Sequence, residues 1–281
     1  MIRFRPPFRR RVRPPRSLRP VEDRYAAHIS RQLSLVLGRV QRDVLLHVPD
    51  WQETARGEVL GRRADAGEFE AIIMMFRSIR LSIFERETGW AAQMRMALQQ
   101  LAEAVNGQNK AHIKDVLQRV LRVDPIQTEP WLEPLSRNWI AENVTLVTSV
   151  SDEMLTDLER VIFKTVREGI SYKDMRKEIE AKYQLSKSRS QLIARDQVSK
   201  YNASLTWARQ ANLGITRYWW RDSRDARVRP MHRHLADESE RGKMYEWAKP
   251  PVTNKAGDHN HPGQDYQCRC WADPVFPGEE T

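Results

Sequence analysis

Tyr25, Ile29, Leu33, Val36, Val40 and Val44 recur at spacings of three and four, and no feature of the chain restricts its fold more. That period places all six on one stripe of an α-helix, and such a stripe must be covered by other apolar faces. The chain supplies them. Helical patterns cover roughly Glu68 to Arg86 around "AIIMMF", Trp90 to Val105, and Lys110 to Arg122, with "NGQNK" reading as a turn between the last two. Pro49 ends the first stripe. Asp124-Pro125 and Glu129-Pro130 break the pattern and mark a domain boundary. Methionines and aromatics such as Met74, Met75, Phe76, Met94 and Met96 read as packing. His28, His47 and His112 are scattered singles.

Beyond the boundary the helices resume. Ser151 reads as the N-cap of "SDEMLTDLERVIFKTVREG", with two acids in its first turn and Gly169 at its end. Ser171 with Asp174 resembles a capping box for "SYKDMRKEIEAKY". A further long helix, "SRSQLIARDQVSKYNASLTWARQANLG", stops at Gly214. "ITRYWWR" then reads as a strand, with Trp219 and Trp220 facing opposite sides, one in the core and the other either a partner contact or packed as well. From Arg221 to Pro262 no period of 2 or 3.6 residues is sustained. The expected fold class is therefore α+β: a mostly helical body with a small C-terminal region of short strands and irregular loops.

Charge isolates the N-terminus. Residues 1–20 hold Arg3, Arg5, Arg9, Arg10, Arg11, Arg13, Arg16 and Arg19, five prolines and no acid, and the remainder has 39 basic against 37 acidic residues. The net charge of +10 therefore sits mostly in an arm. The arm is too polar and too proline-rich to fold alone. Arginines suit bidentate phosphate contacts, so DNA or an acidic protein is its expected partner. The expected organisation is a disordered arm over 1–20, a helical domain over 21–125 and a second domain over 126–281. No apolar run reaches the roughly 20 residues of a membrane span, and the basic N-terminus lacks the apolar core of a secretory signal. Two cysteines in a Cys-x-Cys suit a reducing cytoplasm better than an oxidised scaffold.

The ordered string after the long helix resembles a known family. "ARDQ" and Asn202 come first, then "YWW", "DARVRPMH", "HP" and "CRC" before a short apolar tail. Asp225, Arg229, Pro230, His232, His261, Pro262, Cys268, Arg269 and Cys270, in that order, resemble the Mu F-like phage head morphogenesis family of minor head proteins. Gln197 stands where that family often has an acid, and the interval between "HP" and "CRC" is longer than usual. The resemblance covers about residues 130 to 276. It implies a virion protein associated with the portal region and no established enzymatic activity, so the expected function is non-enzymatic, with major capsid or scaffold protein as candidate further partners. Such a protein aids head assembly, DNA packaging or ejection and takes no small-molecule substrate.

Four of the seven histidines and both cysteines fall between positions 232 and 270. His232, His261, Cys268 and Cys270 would make a tetrahedral zinc set, stapling loops that lack periodic apolar residues. The alternative is a hydrogen-bonded site built on His232 and Asp225, with the cysteines as small core residues. "DHNH" at 258–261 resembles the end of an HNH nuclease motif, so a metal-dependent nuclease is the main rival function, but "PGQDYQ" after it does not begin a helix. A DNA-binding adaptor outside any virion is a third reading. Nothing near the cysteines marks a helix N-terminus that would lower a thiol pKa.

Overall fold

The stripe from Tyr25 to Val44 does form a helix. In the computed structural model α1 spans Arg19–Val40 and runs into a π-helical turn at Gln41–Leu45, and all six stripe residues are buried. The structure describes residues 14–45, 66–84, 89–121, 128–168, 170, 172–276 and 279. Arg3, Arg5, Arg9, Arg10, Arg11 and Arg13, together with Pro49, Asp124, Pro125, Gly169 and Ser171, lie outside the described residues. Of the arm, residues 14–18 have no regular structure. Pro20 sits in the first turn of α1, where a missing N–H removes no helical hydrogen bond.

The helices that follow are α2 (Ala66–Phe84), α3 (Trp90–Leu121), α4 (Leu132–Glu168) and α5 (Tyr172–Asn212). Three of them run through points where the sequence suggests an interruption. "NGQNK" lies inside α3, because Asn109 donates from Nδ2 to Asn202 Oδ1 (2.9 Å) and Thr206 Oγ1 (2.8 Å), an inward-facing polar contact that outweighs turn propensity. Ser151 is a buried mid-helix residue of α4, and its hydroxyl donates to Val147 O at 2.9 Å instead of capping. Ser186 likewise returns its hydroxyl to Lys182 O at 3.1 Å, so "QLSKSRS" does not divide α5.

The described residues fall into two compact units, each built from separated stretches of chain. The bounds of the units fall within α1, α3, α4 and α5, so each unit is discontinuous in sequence. The first unit takes Asp23–Gln100 and Asn138–Ile193. Its core joins the α1 stripe to Ile72, Phe76 and Ile79, to Met94 and Leu98, and to Val147, Met154, Leu158 and Ile162. Polar ties fix the register: Tyr25 OH donates to the buried Asn143 Oδ1 at 2.8 Å, and Arg80 bridges Asp152, Glu159 and Thr156.

The second unit takes residues 14–22, Leu101–Arg137 and Ala194–Thr281. Arg209 of α5 is fully buried beneath Trp131, its guanidinium shared among Glu129, Asn109 and Asn106. The helix ends in a Schellman turn: Gly214 has φ +73°, its N–H donates to Ala211 O, and Ile215 N–H donates to Gln210 O. That turn delivers Ile215 to an apolar cluster with Ile113, Val116, Leu117 and Phe276.

Strand β1 (Arg217–Arg221) follows as the centre of an antiparallel sheet, between β2 (Tyr245–Glu246) and β3 (Trp271–Pro274). The register pairs Trp220 with Ala272 and Arg221 with Trp271. Alternation buries Tyr218 and Trp220, each removal of such a ring from water favouring the fold by about 2–3 kcal/mol. Trp219 faces the other way, half-buried beneath the Arg221 guanidinium.

Between β1 and β2 stands a helix that periodicity does not reveal, α6 (Pro230–Glu240). Pro230 occupies its first turn, and it buries His232, Leu235, Ala236 and Ser239. These lie at i, i+3, i+4 and i+7, the right helical period, but two of the four are polar. The Ser239 hydroxyl accepts the Trp220 N–H at 2.8 Å and ties the helix to the sheet.

Candidate metal centre

His232 projects from the first turn of α6 into the apolar cluster formed by Tyr218, Trp220, Leu235, Tyr245 and Ala272. Cys268 and Cys270 reach the same point from the segment entering β3. Both alternate positions face inward, while Arg269 between them pairs outward with Asp225 at 3.3 Å. Nδ1 of His232 lies 3.4 Å from Cys268 Sγ and 3.5 Å from Cys270 Sγ, and the cysteines are free thiols. All three residues are buried. Among the described residues they form one group whose donor atoms lie close enough to share a metal ion.

His261 is not part of it. Its Nδ1 lies 2.8 Å from Tyr218 OH, and its ring packs on Tyr218 and Trp247 with centroids 5.6 and 4.7 Å away. Burial lowers the His261 pKa and raises that of Tyr218, so both stay neutral and the hydroxyl donates to the ring nitrogen. The four-ligand set expected from the sequence therefore reduces to three. The expected His232–Asp225 pair is not formed either. Asp225 accepts Arg227 N–H at 2.8 Å and meets the Arg227 and Arg269 guanidiniums.

The carboxylate beside His232 is Asp265, whose Oδ2 lies 3.0 Å from Nε2 without good hydrogen-bond alignment. Asn260 holds the other oxygen by donating to Oδ1 at 2.8 Å. Gln264 Oε1 accepts the His261 N–H at 2.7 Å. "HNHPGQD" is thus mostly a shell around the site. The fragment "DHNH" does not assemble as a nuclease centre: His259 Nδ1 meets Pro250 O, His261 meets Tyr218, and the chain continues into a turn. His234 is exposed, 3.7 Å from Glu238.

Electrostatics couple the three groups. The hydrogen bond from Cys270 pulls Cys268 well below the usual thiol range against the cost of burial, and His232 adds to the effect. The same hydrogen bond, with burial, pushes Cys270 upward. Burial opposes charge on His232, but Cys268 and Asp265 outweigh it and raise its pKa. A lowered thiol pKa thus arises with no helix N-terminus, because a neighbouring thiol and imidazole supply the stabilisation.

Helix α5 clamps this segment. Asp196, of "ARDQ", accepts Gln267 N–H at 2.8 Å, and Gln267 has φ +53°. Ser199 donates to Cys268 O at 2.6 Å, and Gln210 donates to Ala272 O at 3.1 Å. The remaining string residues complete the frame. Arg229 donates to Tyr266 O, Pro230 opens α6, and Pro262 is buried.

Residues 156–272, from within α4 into β3, match the family described as Phage Mu protein F like protein. An uncharacterized protein of Haemophilus influenzae strain Rd is 32% identical over 178 residues. The match covers 62% of this chain and 38% of that protein, so the chain aligns with well under half of its relative. No solved structure matches the chain. Among the described residues no helix is long and apolar enough to cross a membrane.

Proposed function

We propose that the protein is a minor head protein that joins a phage head near the portal and aids assembly, DNA packaging or ejection without catalysing a reaction. The observation that carries this reading is the family match over residues 156–272, which spans the whole interlocked string from "ARDQ" to "CRC". The match to a phage head family supports association with other head components and residence in the virion. In this reading the C-terminal unit is a rigid docking module, and the portal, major capsid or scaffold protein is its partner. Outside the arm the chain is almost charge-balanced, which favours a shape-based interface over an electrostatic one. The Arg/Pro-rich arm contacts DNA or an acidic surface. Co-expression with the cognate portal, followed by size-exclusion chromatography, tests the reading. Co-elution as a stable complex is the expected result, and separate elution at micromolar concentrations of both proteins counts against it.

A further inference from the structure

We propose that His232, Cys268 and Cys270 hold a zinc-type metal ion with three protein ligands, and that its fourth position opens onto an arginine-lined cleft that takes an anionic oxygen ligand.

Distance is the first support. With Zn–S of about 2.3 Å and Zn–N of about 2.05 Å, a tetrahedral angle sets sulfur and nitrogen roughly 3.6 Å apart. The two separations from His232 Nδ1 are 3.4 and 3.5 Å. One Nδ1 directs a single lone pair or a single N–H. It cannot make two good hydrogen bonds to two sulfurs at once, whereas one metal ion satisfies all three atoms. The surrounding residues supply the second support. A ligating imidazole ordinarily turns its other nitrogen to a carboxylate, which fixes the ring. Asp265 stands at that nitrogen and is itself held by Asn260. A bound ion requires both thiols and Nδ1 to be free of protons, and any protons they carry are released to solvent, leaving two thiolates that neutralise the dication.

The third support is the cleft. A cavity of about 270 Å³ is lined by the three ligand residues together with Arg195, Arg227, Arg229 and Arg269. Asp225 is the one acid on its wall, so the cleft carries a strong positive excess. A structural zinc site is closed by four protein ligands, whereas a site with three keeps a position for an exogenous donor. Here the cavity that the three donors line also holds guanidiniums that suit a phosphate-like anion. This inference does not rest on the head-protein reading, and its test involves no partner protein.

The test uses the full chain purified under reducing conditions from zinc-supplemented cells. Elemental analysis should find about one equivalent of zinc. His261→Ala should retain it, and His232→Ala and Cys270→Ser should lose it. Asp265→Asn should keep the stoichiometry but weaken affinity about 10–100-fold, read by competition with a chromophoric chelator. Because ligand variants can misfold, wild-type protein reconstituted with cobalt gives a second readout. Tetrahedral visible bands and a thiolate charge-transfer band are expected. Inorganic phosphate should shift the visible bands, while sodium perchlorate at matched ionic strength should not. Zinc-free wild-type protein without a cobalt spectrum overturns the site, as does a Cys268–Cys270 disulfide or rapid iodoacetamide labelling of Cys268 in the zinc-supplemented protein. Loss of zinc in His261→Ala overturns the ligand set. A cobalt spectrum indifferent to phosphate overturns the anion ligand.

Discussion

Replacing Gly263 by alanine isolates the contact that seats the loop before the cysteines. Gly263 has φ +89°, and a Cβ placed there would lie 2.9 Å from Ala203 Cβ on α5, with Cys270 O at 3.5 Å and Ser199 O at 3.6 Å. Gly257 offers an internal control, with φ +88° and open space around its added Cβ. Both substitutions carry the left-handed backbone penalty of about 1–2 kcal/mol. Only Gly263→Ala adds overpacking, about 1–3 kcal/mol. The expected losses are therefore about 1–2 kcal/mol for Gly257→Ala and about 2–5 kcal/mol for Gly263→Ala. Ala203→Gly costs about 1 kcal/mol alone as a helix-interior glycine, yet in the double variant it removes the opposing methyl. The cycle should show a favourable coupling of about 1–3 kcal/mol. Urea unfolding followed by tryptophan fluorescence measures each corner, and Tm should fall about 2–4 °C per kcal/mol. Equal losses for the two single variants, or strict additivity in the double, would refute the contact as the cause.

Further outcomes follow from other parts of the second unit. Arg209→Ala leaves Glu129 buried without its main cation and should cost about 3–5 kcal/mol in urea unfolding, whereas Arg209→Met with Glu129→Gln should recover much of it. Burial raises the Glu129 pKa, but hydrogen bonds from Arg209 and Lys110 outweigh it and hold the carboxyl below its ordinary 4.5. A folded pKa below the unfolded one contributes stability that is present above the unfolded pKa and lost as pH falls through the folded one. The wild-type urea midpoint should thus drop as pH falls below about 4.5, and the Arg209→Met variant should show a shallower drop. Deleting residues 1–13 removes six arginines and spares α1, so it should leave Tm unchanged while the salt slope of DNA binding falls by up to about 5. An unchanged slope would refute the arm as the contact.

The helical stripes were readable because tertiary packing confirms apolar periodicity wherever the buried face is apolar. Tyr25 to Val44 and the Gly214 stop are of this kind. Elements whose buried faces are polar were hidden. In α6 the face is His232, Leu235, Ala236 and Ser239, so hydrophobicity carries only half of the signal. "NGQNK" looks like a turn because Asn106 and Asn109 are polar, and they are polar because they face Arg209. The serines at 151 and 186 signal caps in isolation, but a hydroxyl bonded to the carbonyl four residues back is equally satisfied inside a helix.

The site divides in the same way. Residue chemistry alone selected His232, Cys268 and Cys270. The same chemistry selected His261, because sequence cannot distinguish a ligand from a histidine that caps a tyrosine hydroxyl. Asp265 was missed since its role depends on a 3.0 Å approach to His232 that no spacing announces. The family string makes sense once these distances are known. Asp225 gathers Arg227 and Arg269, Arg229 reaches Tyr266, Pro230 opens the helix that carries His232, and Gly263 lets the chain after Pro262 press against Ala203. None of these contacts needs a substrate. Each fixes the position of either His232 or the two cysteines, so the string encodes the placement of three donor atoms.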